Sequence, residues 1–218
     1  MKFTYLGIHG LDEHFGKIPL GSIILLLGTP GSGNDIFAMQ SLYIQAEKGK
    51  RTVYLNLDYS QEDIVMEMAA YGWSIEKVRE NWTFLDAYNK PEEEVEKIWI
   101  EYLDSIVEDN WTAIDTLNTL MEVLGREETD KRINELRRRA RKNTGIHYII
   151  MMKGEEERRI EQQIKRYVDG VIEFKMVEGE NRGVINVEKM KRRKGTWLAK
   201  EYRLTDRGIV IETVGEIR

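Results

Sequence analysis

The sequence holds no cysteine, which excludes disulfides and thiolate chemistry. Its three histidines (His9, His14 and His147) stand apart from one another, which argues against a zinc centre. No apolar run reaches the roughly eighteen residues that a membrane-spanning helix needs. The first residues, "MKFTYLGIHGLDEHFG", lack the basic flank and apolar stretch of a signal peptide, so a soluble cytoplasmic protein is expected. Prolines number only three, while 33% of residues are charged, with Lys, Arg and Glu dominant. That balance resembles a thermophile's surface of mixed ion pairs. A net charge of −5 argues against a surface devoted to nucleic acid. Two dense basic runs, "RRRARK" (137–142) and "KMKRRK" (189–194), read as solvated faces offset by acidic stretches such as "KPEEEVEK" (90–97).

What is present is alternation. At 218 residues the chain can bury a sizeable core, and its length allows one large α/β domain as readily as two small ones; it is assigned as a single domain over 1–218. "SIILLLG" (22–28) is a continuous apolar run of the kind buried on both faces of a parallel sheet. A glycine loop follows, then a helix over 35–50 with Gly49 as its stop. Strands are expected at 51–58, 82–88, 110–117 and 145–152. Helices are expected at 60–73, 91–108, 129–143 and 155–170. Ser60 caps the second helix and Gly72 ends it. Strands alternating with helices predict a mostly parallel sheet covered on both faces. The last fifty residues read instead as strands separated by "EGENRG" and "TDRG", antiparallel hairpins appended to the sheet.

The glycine loop "GTPGSGND" (28–35) carries the candidate chemistry. A phosphate loop reads G-x-x-x-x-G-K-[ST], lies between a buried strand and a helix, and wraps its amides around a polyphosphate. Gly28 and Gly33 have the required spacing, with Thr29, Pro30, Gly31 and Ser32 between them. Asn34 then replaces the lysine and Asp35 the hydroxyl. Asn34 is neutral and short. A carboxylate at Asp35 about 5 Å from a phosphate oxygen opposes it by roughly 3 kcal/mol at an effective dielectric near 20. Aspartate also suits the first turn of any helix, and it is a hard-ion ligand that a Mg²⁺ ion could use.

A family resemblance enters with the residues around this loop. "GLDEHFGKIPLGSIILLLGTPGSGND" (10–35) resembles the opening of the KaiC-like branch of the RecA-type ATPases. "VYLNLDYSQEDIVMEMAAYGWSIE" (53–76) is similar to the segment in which a strand ends in a Glu-Glu pair. "AIDTLNTL" (113–120) resembles the Walker B stretch, "YVDGVIEF" (167–174) a late strand, and "INVEKMK" (185–191) with Gly195 and Thr196 the K-M-R-G-T segment. "YRLTDRGIVI" (202–211) resembles the closing hairpin, so the likeness runs from about residue 7 to 212. It implies a RecA-like P-loop α/β fold with a mostly parallel central sheet flanked by helices and C-terminal antiparallel hairpins.

The resemblance also assigns roles. It implies nucleotide contacts at Gly28, Thr29, Pro30, Gly31, Ser32, Gly33, Asn34, Asp35 and Asp115, with Asp35 and Asp115 as metal-site residues only where Mg²⁺ binds. Lys189 and Lys191 fall where family members reach the nucleotide of a neighbouring subunit in a ring or filament. The Glu-Glu pair that positions water falls on Asp58, which is one methylene short, and on Tyr59, which is no base near neutral pH, so both are read as vestigial. The expectation is therefore a pseudo-ATPase with no required cofactor and only weak binding of ATP or ADP with Mg²⁺. It would act in regulation or assembly through copies of itself or an intact relative, with no nucleic-acid partner and no membrane insertion. The alternative is a working ATPase in which Asp35 holds Mg²⁺ and a neighbour supplies the lysine.

Overall fold

The computed structural model describes residues 2–154, 158–192 and 198–211. The chain begins with β1 (Phe3–Thr4), α1 (Leu11–Phe15) and β2 (Ile18–Pro19), a two-stranded antiparallel flap closed by a short helix. The core then alternates: β3 (Ser22–Gly28), α2 (Asn34–Glu47), β4 (Thr52–Asn56), α3 (Gln61–Ala70), α4 (Ile75–Val78) and β5 (Trp82–Asp86). It continues with α5 (Glu92–Asp104), β6 (Trp111–Asp115), α6 (Leu117–Leu124), α7 (Arg126–Ala140), β7 (Ile146–Met152) and α8 (Arg158–Tyr167). Strands β8 (Gly170–Met176), β9 (Arg182–Met190), β10 (Leu198–Thr205) and β11 (Gly208–Ile211) end it.

Nine strands form one sheet in the order β11-β10-β9-β8-β3-β7-β6-β4-β5. Pairs from β8 through β5 are parallel, and β8-β9-β10-β11 are antiparallel. Strand β3 is buried at all seven positions because it runs through the middle with helices on both sides. Its alternation sends Ile24 and Leu26 into one apolar layer and Ile23, Leu25 and Leu27 into the other. The first layer is completed by α2, α3, α4 and the final hairpin, the second by α5 to α8. Helix α2 is buried nearly all round, since it packs against the sheet, β11 included, and is met by the N-terminal segment at Leu6. Gln40 ties the two together: its Oε1 accepts from the Ile209 amide at 2.7 Å, and its Nε2 donates to the Ile209 carbonyl at 3.1 Å.

The expected fold class is the one observed, with local corrections. Ser60 caps α3 by accepting from the Asp63 amide at 3.2 Å, and Gly72 follows with φ of 77°. The strand expected over 110–117 stops at Asp115, because Thr116 opens α6, a helix the pattern reading merged into its neighbours. Gly125 (φ 78°) separates α6 from α7, so the basic helix starts at Arg126. The acidic helix ends at Asp104. Strand β8, read as the start of an appended hairpin, pairs parallel with β3 and antiparallel with β9, so it belongs to the core. Of the helix expected at 155–170, residues 155–157 lie outside the described residues.

Candidate functional site

In an open parallel sheet the carboxyl ends of the strands are where ligands gather. Three of the sequence-derived segments end there: the loop after β3, the turn after β4, and the end of β6. The loop has the backbone of a phosphate cradle. Gly31 and Gly33 take φ of 77° and 81°, left-handed conformations that strain other residues. A Cβ on Gly28 would stand 2.0 Å from Ser32 Oγ, and one on Gly33 2.8 Å from Leu204 Cδ2. Gly28 and Gly33 are thus required by the loop's own packing, and Gly31 by its backbone angle alone. Strand β10 holds the loop from the side, with the Tyr202 hydroxyl donating to the Ser32 carbonyl at 2.6 Å.

The side chains of the loop turn away from a phosphate. Asn34 is fully buried, and its Nδ2 points toward the carbonyls of Leu26 (3.4 Å) and Met151 (3.5 Å). Its Oδ1 accepts from Ser32 Oγ at 3.3 Å. Asn34 therefore fills the hollow of the loop, and no cation projects from position 34. Two amides near the helix start are already bonded, Ser32 N to the Thr29 carbonyl at 3.0 Å and Ile36 N to Asp35 Oδ1 at 2.9 Å. Lys153, whose amide donates to the Gly28 carbonyl at 2.8 Å, gives its ammonium to Glu173.

Carboxylates gather over this loop instead. Asp115, at the end of β6, is buried and accepts from the Tyr54 hydroxyl at 2.6 Å. Burial, and then the charge of Asp35, pushes its pKa up to about 8, with Asp58 and Glu67 adding to the rise and Tyr54 opposing it. Asp35 is raised by burial and by Asp58, and Glu67 of α3 by burial and by Asp35. None of the four carboxylates makes an ion pair among the described residues. Among those residues, no three His, Cys, Asp or Glu side chains are grouped to hold a metal ion. The residues present do not fit a polyphosphate: Asn34 offers no cation, and carboxyl groups rather than cations surround the loop.

Asp58 lies where the water-positioning acid was expected, but its carboxylate is occupied. It accepts from Thr116 Oγ1 at 3.1–3.2 Å and from Thr119 Oγ1, both at the start of α6. Tyr59 is 57% exposed, and burial with the nearby carboxylates raises its pKa, so it is no base. Thr29, Pro30 and Gly31 form the exposed rim of the loop. Lys189 and Lys191 are elsewhere. Gly28 pairs with Phe174, while Met190 pairs with Gly170, level with Ile24 near the start of β3. Four residues of strand separate the two levels, about 13 Å. Lys189 Nζ donates to the Val168 carbonyl at 2.9 Å and to that of Lys165, capping α8. Burial, and then the charge of Lys191, lowers its pKa to about 8. Arg193, Lys194, Gly195 and Thr196, the rest of that expected segment, lie outside the described residues.

Glu67, Tyr54 and Tyr202 were missed in the sequence. Period-two alternation along β4 puts Tyr54 and Asn56 on one face, a signal that could have placed Tyr54 beside the β6 carboxylate. Glu67 and Tyr202 carry no such mark.

Comparisons with known proteins bear on the family and the fold. The family described as "ATPase: KaiC" matches residues 4–216. The UPF0273 protein of Pyrococcus furiosus is 26% identical over 94% of this chain and 92% of its own length. The circadian clock protein KaiC3 of Synechocystis is 33% identical over 39% of this chain and 17% of its own. The KaiC-like protein PH0186 of Pyrococcus horikoshii superimposes with a TM-score of 0.77, at 21% identity, over 97% of this chain and 99% of its own, a likeness of fold. No helix among the described residues is long and apolar enough to cross a membrane. A glycine loop between a buried strand and a helix, inside a family match that spans nearly the whole chain, identifies it as a member of the KaiC ATPase family, RecA-type and P-loop in fold.

Proposed function

We propose that this chain is a non-hydrolysing member of its family, a regulatory or assembly protein that works by associating with copies of itself or with an intact relative. One observation carries this: Asn34 is folded into the loop and offers no cation, while Asp35, Asp58 and Glu67 are near enough to act on Asp115 as like charges. Phosphoryl transfer is almost wholly positioning and charge stabilisation, so a site with no cation at position 34 and with Asp58 held by two threonines supplies neither. ATP or ADP with Mg²⁺ binds weakly here and is not required.

Two measurements on the purified protein test this. ATP turnover should not exceed a no-enzyme control, and titration with ATP should give a Kd in the high micromolar range or weaker, with or without Mg²⁺. Turnover near one per minute, abolished by Asp115→Ala, overturns the proposal. So does Mg²⁺-dependent tight binding lost in Asp35→Asn, which would assign Asp35 to a metal and make the site live.

A further inference from the structure

Position 34 offers the loop no cation, but a lysine stands beside it. Lys153 directly follows the last residue of β7, and its amide donates to the Gly28 carbonyl at 2.8 Å. Its backbone is thereby fastened to the first residue of the loop. Asn34 reaches the same strand end, where its Nδ2 lies 3.5 Å from the Met151 carbonyl. Residues 34 and 153 therefore meet at one spot, the place where β3 turns into the loop.

The Lys153 ammonium is drawn away from that spot by an ion pair with Glu173. Strand β3 lies between β7 and β8, with Gly28 level with Met152 on one side and Leu27 level with Glu173 on the other. The pair thus spans β3 from one neighbouring strand to the other, two strand spacings or about 10 Å. The lysine stem is laid across the end of β3 just where the loop leaves it. Ile172 and Phe174 face the layer that holds α2, so Glu173 between them faces the layer of α5 to α8. That direction is opposite to the helix that the loop opens.

Glu173 does not depend on Lys153 alone. The Lys175 ammonium pairs with its other oxygen at 2.9 Å. Burial raises the pKa of Glu173, but the bonds and charges of Lys153 and Lys175 outweigh this and hold it below the ordinary carboxylate value, so it stays charged near neutral pH. A buried carboxylate that loses its partners is costly, and Lys175 remains as one when Lys153 leaves. The Lys153 side chain is 32% exposed. With Arg158 and Gln162 it borders an open cavity of about 510 Å³, which gives its stem room to turn.

We infer that Lys153 is the phosphate-binding lysine of this chain, supplied from the end of β7 in place of position 34, and that Glu173 latches it off the loop. Released, the ammonium swings toward the loop while its backbone stays bonded to Gly28, and it meets a phosphate group seated there. Lysine suits the task, being a compact charge on a flexible four-carbon stem. The inference rests on the proposed weak binding of nucleotide and gives it a cause: a phosphate must win the lysine from a carboxylate already paired with it.

Calorimetric titration of the full chain with MgATP, and separately with inorganic pyrophosphate, tests this. Glu173→Gln should tighten both at least roughly tenfold, since the new contact is to phosphate alone. Lys153→Met should erase that gain, so that Lys153→Met and Lys153→Met with Glu173→Gln bind within about twofold of each other. Glu173→Gln with Lys175→Met should keep the gain, because Lys175 only steadies the latch. Circular dichroism melts separate altered binding from altered folding. Glu173→Asp, which withdraws the carboxylate by one methylene and keeps its charge, should give a smaller gain of the same kind.

Natively folded Glu173→Gln and Glu173→Asp that bind no tighter than wild type overturn the inference. So does a gain that persists after Lys153→Met, which would belong to the lost charge of Glu173 and not to the lysine. Tight wild-type binding that disappears in Lys153→Met would overturn both the latch and the proposed weak binding. ATP turnover by wild type would sink the proposed function alone, since the variants read binding and not hydrolysis.

Discussion

Replacing Asp115 by asparagine probes the carboxylate cluster directly. Asp115 is 5% exposed, and its pKa stands at about 8, roughly four pH units above an ordinary aspartate. A carboxyl with a raised folded-state pKa favours folding in its protonated form. Its contribution is therefore fully present below the unfolded value near 4 and is lost as pH rises through 8. For these values the loss between pH 5 and pH 9 is about 4 kcal/mol. In a domain of this size that is roughly 8–16 °C in Tm. Asparagine keeps the shape and can still accept from the Tyr54 hydroxyl, but it carries no charge to suppress. Asp115→Asn should melt near wild type at pH 5 and well above it at pH 9, followed by urea or thermal unfolding with circular dichroism. Asp35 and Glu67 are raised for the same reason, so a gentler decline should persist in the variant. His147 works at the other end: burial lowers its pKa to about 4, so its contribution is lost as pH falls from about 6.5 toward 4, alike in both proteins. Wild type and variant tracking each other within about 0.5 kcal/mol from pH 5 to 9 would refute the idea of a buried, charge-crowded Asp115.

Three further outcomes are expected. Asn34→Lys with Asp35→Thr adds one positive charge and removes one negative charge beside the loop, and should tighten MgATP binding at least roughly tenfold by calorimetry; turnover should stay absent until Asp58→Glu is added. No gain would mean that the loop is closed to phosphate. Tyr202→Phe removes the hydroxyl that holds the Ser32 carbonyl and should cost about 1 kcal/mol in urea unfolding, with the loop amides exchanging faster. Gly33→Ala forces a Cβ to 2.8 Å from Leu204 at φ of 81° and should cost roughly 2 kcal/mol or more; an unchanged midpoint would mean the loop is not held by β10.

Much of the fold was legible because its signals are local. Five apolar residues in a row (23–27) running straight into a glycine loop read as a strand covered on both sides, and Ser60 and Gly72 mark helix ends by their own chemistry. The merged helix shows the limit. Thr116 sits at a strand end and starts a helix at once, so no turn residue separates β6 from α6. The pairing of β8 with β3 was not legible either, since a strand read in isolation does not say whether its neighbour lies before or after it. At the site, the sequence placed the loop, Asp58 and Asp115, which lie at strand ends. It did not place Glu67, whose approach depends on how α3 leans over the sheet. Nor did it show that Lys189 is drawn onto the C-terminal carbonyls of α8.

The direction of Asn34 was the least readable feature and the one with most consequence. Its amide is oriented by two carbonyls, one eight residues back and one 117 residues on. A phosphate loop without its lysine still has polar groups to satisfy, because buried amides and carbonyls left unpaired cost about as much as a lost hydrogen bond. Here the chain satisfies several from within: Asn34 reaches the ends of β3 and β7, Ser32 bonds Asn34, Asp35 takes the Ile36 amide, and Tyr202 takes the Ser32 carbonyl. These contacts hold the loop in a cradle's shape from within the chain. Under the proposed function the same contacts separate shape from activity: Asn34, committed to the Leu26 and Met151 carbonyls, offers no cation to a phosphate.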